Sequence, residues 1–196
     1  MKRLISSIIT IVTLALPIIA SATTLTIDPE HSNVGFKVRH MMVSNVKGNF
    51  EKISGTVDLN EQDITKSKVT VSIDTASINT NVQKRDEHLR SAEFFDVTKF
   101  PSMAFASKKV AKAGKDRLKI TGELTLHGVT KEVVLDVEGP TPESKDPWGN
   151  IRRGVTATTK INRKDFGLIW NKALETGGVA VGEEVTITLE IEMIKK

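Results

Sequence analysis

The segment that decides the fold is VTITLEIEM, residues 185–193, in which every second side chain is apolar. Successive side chains of an extended chain point to opposite faces. One face of this segment would therefore hold only apolar side chains, and the other only threonine and glutamate. This period of two predicts a β-strand with one dry face and one wet face.

The same alternation recurs along the chain. It is clear in residues 32–40, 53–59, 69–73, 118–126 and 133–137, and weaker in 46–50, 103–107 and 155–161. About eight strands with one dry face each predict an all-β fold built on an antiparallel sheet that is covered on one side. Alternation alone leaves a closed barrel and a two-sheet sandwich equally open.

Turn residues and one irregular segment separate these strands. His127-Gly128 supplies the positive φ angle that a tight hairpin needs, and residues 139–150, with three prolines, predict a longer loop. Residues 81–95 break the period of two and predict a short helix between strands. On that helix Asp86 and Arg90 would form an exposed pair four residues apart, and Leu89 would attach the helix to the barrel.

The first 22 residues have the pattern of a secretory signal peptide. Lys2 and Arg3 precede an apolar run over residues 4–19, and the small residues Ala20-Ser21-Ala22 follow it. A membrane anchor is the alternative, but a span needs roughly 20 apolar residues, and Pro17 interrupts this shorter run. Cleavage after Ala22 predicts a periplasmic protein with one domain, residues 23–196.

Composition excludes several function classes. Loss of the leader lowers the formal net charge from +4 to +2, a balance too weak for a nucleic-acid partner. The chain has no cysteine, so the fold must depend on its core and its hydrogen-bonded sheet rather than on disulfides. No later segment is apolar enough over sufficient length for stable membrane insertion.

The inward face of the predicted sheet is apolar enough to line a cavity for an aliphatic guest. Burial of such a guest is favourable by roughly 25 cal/mol for each Å² removed from water. Gly48, Gly55 and Gly122 share this inward face, where they either leave space for a guest or mark bulges and corners. The expected lining residues are Val34, Phe36, Val38, Phe50, Val71, Phe105, Ile120, Gly122, Leu124, Ile187 and Leu189.

Short motifs in a fixed order resemble the YceI-like family of polyisoprenoid-binding periplasmic proteins. They cover nearly the whole chain after the leader. The matching blocks are IDPEHSNVGFKVRH (27–40), GNF (48–50), GTV (55–57), RDEHLRS (85–91), FFD (94–96), FP (100–101), FAS (105–107), GELTLHGVTK (122–131), DFG (165–167) and VGEEV (181–185).

The resemblance implies an extended lipocalin-like barrel of eight antiparallel strands around an apolar tunnel. The tunnel would hold a polyisoprenoid, such as a prenyl pyrophosphate or an isoprenoid quinone, or a similar long-chain amphiphile. No other cofactor is expected. The partner is then a long-chain isoprenoid lipid, and the assembly is either a monomer or a homodimer.

Three polar residues are candidates for the ligand head group. His40 continues the inward register of strand 32–40 and would lie near one barrel mouth, while Arg85 and His88 are three residues apart on the predicted helix. Arg85 offers a fork of donors to phosphate or carbonyl oxygens. The alternatives are a rim histidine without a ligand and a helix that only closes the barrel end.

Catalysis finds little support in the sequence. His31 and Ser32 are neighbours on a strand and would point to opposite faces, so they do not form a nucleophile–base pair. His31, His40, His88 and His127 lack the spacing of a metal site. The sequence therefore predicts a binding protein rather than an enzyme. The alternatives are a stress-response protein that binds a protein partner through its barrel rim, or a metal-dependent hydrolase.

Overall fold

The computed structural model describes residues 22–175 and 177–196, so the predicted leader lies outside the described residues. The described residues form twelve strands, one α-helix and four short 3₁₀ turns. Their bounds are β1 Thr23–Ile27, β2 Asn33–His40, β3 Ser44–Phe50, β4 Ile53–Leu59, β5 Lys68–Asp74, β6 Ile78–Asn79, α1 Gln83–Arg90, β7 Ser102–Gly114, β8 Arg117–Leu126, β9 Val129–Glu138, β10 Ser144–Lys145, β11 Ile151–Asn162 and β12 Val181–Lys195.

These segments form a closed antiparallel barrel, which confirms the predicted fold class and decides against a sandwich. The barrel has eight staves, and each stave is either one strand or two consecutive strands in line. Three staves are interrupted strands, namely β1 with β2, β3 with β4, and β5 with β6. The other five are β7, β8, β9, β11 and β12. The ring closes where β11 pairs with β12 from Arg152 to Asn162.

The three interruptions lie side by side in the barrel wall and share hydrogen bonds. The amide of Glu51 donates to the carbonyl of Ser77 at 3.1 Å, and the amide of Asp74 donates to that of Lys52 at 3.0 Å. On the other side, the amide of Asp28 donates to the carbonyl of Glu192 at 2.9 Å. The wall thus bends along one line while its backbone groups remain satisfied.

The predicted turn and helix are confirmed. His127 and Gly128 have φ angles of 52° and 73° and join β8 to β9, and α1 lies within the segment predicted to be helical. The prediction of an exposed pair between Asp86 and Arg90 is wrong. Asp86 is buried and accepts hydrogen bonds from the amide and hydroxyl of Thr80, whereas Arg90 donates to backbone carbonyls.

Two features of the wall were not predicted. β1 is part of the barrel wall, with Leu25 and Ile27 almost fully buried, although its alternation is too short to stand out in the sequence. β9 and β11 pair only where Thr156–Thr158 faces Asp136–Glu138, so the rest of this seam has no ladder. None of the helices among the described residues combines the length and apolarity needed to span a membrane.

Arg152 forms hydrogen bonds that connect the interrupted part of the wall to the loop before β11. Its guanidinium donates to Asp28 at 2.6 Å, to Glu192 at 2.5 Å and to Asp146 at 2.7 Å, and its side chain is only 17% exposed. His31 contacts the same Asp28 carboxylate at 2.8 Å. The hydrogen bond from Arg152 is the main reason why the pKa of Asp28 falls to about 2, and it also lowers the pKa of Asp146.

This network predicts a specific loss of stability in acid. Below pH 4 the unfolded chain protonates Asp28, whose ordinary pKa is 3.8, whereas the folded chain protonates it only near pH 2. The free energy of unfolding should therefore fall by about 2 kcal/mol from this group as the pH drops from 4 to 2. Asp28→Asn should reduce that fall, as measured by thermal melting at each pH.

Asp136→Asn provides the control, because Asp136 forms an exposed pair with Lys119 at 2.7 Å and such pairs contribute little to stability. It should keep the wild-type pH dependence. The pKa of His31 is raised by Asp28, so His31 stays protonated in both states across this window. If Asp28→Asn and wild type lose stability in parallel between pH 4 and 2, the role of Asp28 is refuted.

Candidate functional site

A cavity of about 260 Å³ lies inside the barrel and extends along it. The strands from β1 to β9 other than β6, together with β11 and β12, contribute lining residues. Three more come from α1 and the segment that follows it, namely Leu89, Phe94 and Phe95. The lining is apolar almost throughout. Its polar side chains are those of Ser67, Thr159 and Arg163.

Most residues that the sequence assigned to the lining border this cavity. The structure brings together Val34, Phe36, Val38, Phe50, Val71, Phe105, Ile120, Leu124, Ile187 and Leu189, and leaves out Gly122. The inward face of β11 was missed. Val155, Ala157, Thr159 and Ile161 continue in one alternating register, and one more step in that register reaches Arg163.

Gly122 does not itself border the cavity, which corrects its assignment to the lining. The ring of Phe105 lies over Gly122 from the neighbouring strand, and a Cβ there would also lie 2.6 Å from the carbonyl oxygen of Ala106. Gly48 accommodates the ring of Phe36 in the same way. Beside Gly122 the register of β7 shifts between Ser107 and Lys109, so the alternative of a bulge fits this position.

Aromatic side chains fill the barrel end next to α1. Phe50 contacts Phe36 and Phe95, with ring centroids 5.8 and 5.7 Å apart. Phe94 is buried and packs against Trp170 at 5.0 Å. Leu89, Phe94 and Phe95 bound the cavity at this end, because they enter it from the segment that crosses the gap between β6 and β7.

The three predicted head-group residues do not border the cavity. Arg85 donates its Nε to the hydroxyl of Thr80 at 2.7 Å and a terminal nitrogen to the carbonyl of Thr80 at 2.9 Å. His88 contacts Glu93 at 2.6 Å and stacks edge-on with Phe94 and Trp170. His40 ends β2 opposite Val181, at the same barrel end.

Arg163 is the cationic side chain that does reach the cavity. It begins the 3₁₀ turn Arg163–Phe166 directly after β11 and is 4% exposed. Its guanidinium donates to the carbonyls of Gly182 at 2.8 Å, Val181 at 3.3 Å and Leu168. Burial lowers the pKa of this guanidinium, although an arginine keeps its charge in proteins.

One group of side chains has the composition of a metal site. The ligand atoms of Asp28, His31 and Glu192 lie within 4.8 Å of one another. Arg152 already donates to both carboxylates, so its guanidinium occupies the place of a cation and balances their charge. These residues lie outside the cavity lining, so the arrangement gives no support to a metal-dependent hydrolase.

Comparison with known proteins gives a consistent result. The family model described as YceI-like domain matches residues 25–193. A UPF0312 protein of Vibrio parahaemolyticus is 40% identical over 159 residues, which cover 80% of this chain and 84% of that protein. The crystal structure of a Campylobacter jejuni YCEI protein is 34% identical, with a TM-score of 0.68, and covers 81% of this chain and 90% of that one.

A more distant structure shares the fold alone. It is a polyisoprenoid binding domain from Saccharophagus degradans implicated in plant cell wall breakdown, 14% identical to this chain with a TM-score of 0.64. The match covers 89% of this chain and 99% of that domain.

The packing at Gly122 predicts a large cost for one added methyl group. Gly122→Ala should lower the free energy of unfolding by about 1–3 kcal/mol, because the Ala106 carbonyl is backbone and has no room to move. Gly154→Ala is the matched control on β11, where the nearest atom to an added Cβ is 3.7 Å away. It should be neutral or slightly stabilising. Denaturant titration compares the two, and equal stabilities would show that Gly122 is not sterically constrained.

Proposed function

The chain belongs to the family of YceI-like domains, and on that basis we propose that it binds a long-chain isoprenoid lipid inside its barrel. The observation that supports this proposal is the cavity inside the barrel, whose lining is almost wholly apolar. A binding site for a sugar or a metal ion needs several polar groups that converge on one point. The described lining residues of this cavity offer few such polar groups.

The chemistry of the lining selects the ligand class. An isoprenoid tail has no hydrogen-bonding groups, so it loses no hydrogen bonds to water on entering the cavity and gains roughly 25 cal/mol for each Å² buried. A polar ligand would leave its hydroxyl or amide groups unpaired, at a cost of roughly 1–3 kcal/mol each. Phe36, Phe105 and Leu189 offer such a ligand only hydrocarbon surface.

A polyisoprenoid binding domain has the same fold, so this fold is one that can accept such a guest. The head group is open between a phosphorylated prenol and an isoprenoid quinone, because both have the same kind of tail. Carriage of a bound lipid, rather than its chemical conversion, fits a cavity wall without a nucleophile–base pair among the described lining residues. A protein that acts only through a protein partner would leave the cavity without a role.

The direct test is organic extraction of the purified protein followed by mass spectrometry, which should recover a prenyl lipid. Ala157→Phe should reduce the amount recovered, because the new ring enters the cavity from the middle of β11. Thr158→Phe is the control, since the next side chain on that strand is exposed on the outer face. It should leave recovery unchanged.

Circular dichroism would verify that both variants remain folded. Equal lipid recovery from folded Ala157→Phe and Thr158→Phe would place the lipid outside the barrel. Wild-type protein that yields no lipid, and binds none when supplied with it, would refute the proposal itself.

We also propose that the protein acts in the periplasm, on the basis of the leader pattern in residues 1–22. Amino-terminal sequencing of the protein from a fractionated host should then find Thr23 as the first residue, in the periplasmic fraction. An intact Met1 on protein recovered with the membranes would contradict export and favour an anchor.

A further inference from the structure

Two arginines face the barrel interior, one from β11 and one from the 3₁₀ turn that directly follows it. Arg153 and Arg163 share the inward register with Val155, Ala157 and Ile161, ten positions apart. At about 3.3 Å per residue they lie roughly 33 Å apart, at opposite ends of the barrel. Their surroundings differ in the presence of carboxylates and in access to the cavity.

Arg153 is neutralised by its neighbours. One terminal nitrogen lies 3.0 Å from a carboxylate oxygen of Glu61 and 3.7 Å from Glu143, and Lys195 contacts Glu143 at 2.8 Å. Arg153 is not among the cavity-lining residues. Its charge is balanced by this cluster, which leaves the adjacent barrel end without an unsatisfied cation at the cavity.

Arg163 borders the cavity and has no such partner. The acceptors of its guanidinium are three backbone carbonyls, and among the described residues no carboxylate forms an ion pair with it. The negative charge of Glu183 acts on the pKa of Arg163, but the carboxylate of Glu183 forms its ion pair with Lys164. Carbonyl dipoles satisfy three of the five N–H groups, so the positive charge is buried without an opposite charge.

A buried, unbalanced cation is costly in a medium of low dielectric constant, and an anion brought next to it recovers part of that cost. The wall also allows a head group to reach this point. The ladder between β9 and β11 ends at Thr158, and beyond that residue β11 pairs only with β12. This part of β11 leads through Thr159, which lines the cavity, to Arg163. The tail would then lie along the apolar lining.

We propose that Arg163 anchors the anionic head group of the bound lipid, a phosphate or another oxyanion at the end of a prenyl chain. The inference rests on the proposed function and assigns the head group to the barrel end that holds α1 and the turn Arg163–Phe166. The opposite end, at Arg153, receives the end of the tail.

The experiment compares two probes with the same tail, farnesyl phosphate and farnesol, in binding to the full-length mature protein. Wild type should bind the phosphate at least tenfold more tightly than the alcohol. Arg163→Met should bind both probes with similar affinity, whereas Arg153→Met should keep the wild-type preference. Melting curves would establish that the variants are folded at the assay temperature.

Equal affinities of wild type for the two probes would overturn the anchor while leaving lipid binding intact, and so would a preference that survives in Arg163→Met. Failure of wild type to bind either probe would refute the proposed function as well.

If Arg163→Met does not fold, the Nε–H resonance of Arg163 in the NMR spectrum of wild type decides the question. It should shift with farnesyl phosphate but not with farnesol, and no such shift would overturn the proposal.

Discussion

The ladder between β11 and β12 closes the sheet, and the cavity exists because of that closure. Eleven residue pairs join the two strands, from Arg152 and Ile194 to Asn162 and Glu184. β12 also pairs with β1 and β2 on its other side, so the last strand of the chain holds the first stave in place. A closed sheet has no free edge at this seam and encloses its inward face. The chain achieves this without a disulfide, since it has no cysteine.

Once the sheet is closed, side-chain volume decides how much of the interior stays empty. Glycine at positions 48 and 122 lets aromatic rings from neighbouring strands lie flat against the wall. The rings of Phe36 and Phe105 therefore occupy the wall rather than the centre of the barrel. Aliphatic side chains and the small Ala157 border the space that remains, so its lining is apolar.

Charge is distributed unequally around this apolar interior. Arg152 and Arg153 meet carboxylates, and they connect the wall to the loop of residues 139–150. Arg163 meets only carbonyl oxygens. A uniform apolar tube would bind a prenyl chain in either direction, whereas a single unbalanced cation at one end favours one orientation. The difference between these arginines thus bears on the direction in which a lipid would enter and leave.

The sequence by itself determined the elements with a strong local pattern. Val185 to Met193 alternate so regularly that their strand and its inward face follow from the period of two, and His127-Gly128 encodes its own turn because glycine tolerates positive φ. The motifs identified the family, and with it the barrel.

Only the tertiary structure decided which residues far apart in sequence become neighbours. Arg152 pairs with Asp28 and Asp146, and Arg85 forms hydrogen bonds with Thr80. The ring of Phe105 lies over Gly122. Arg163 borders the cavity without a carboxylate partner among the described residues. A strand pattern reports which face a side chain occupies, but the energy of a charge or a ring depends on the partners that closure brings within a few ångströms.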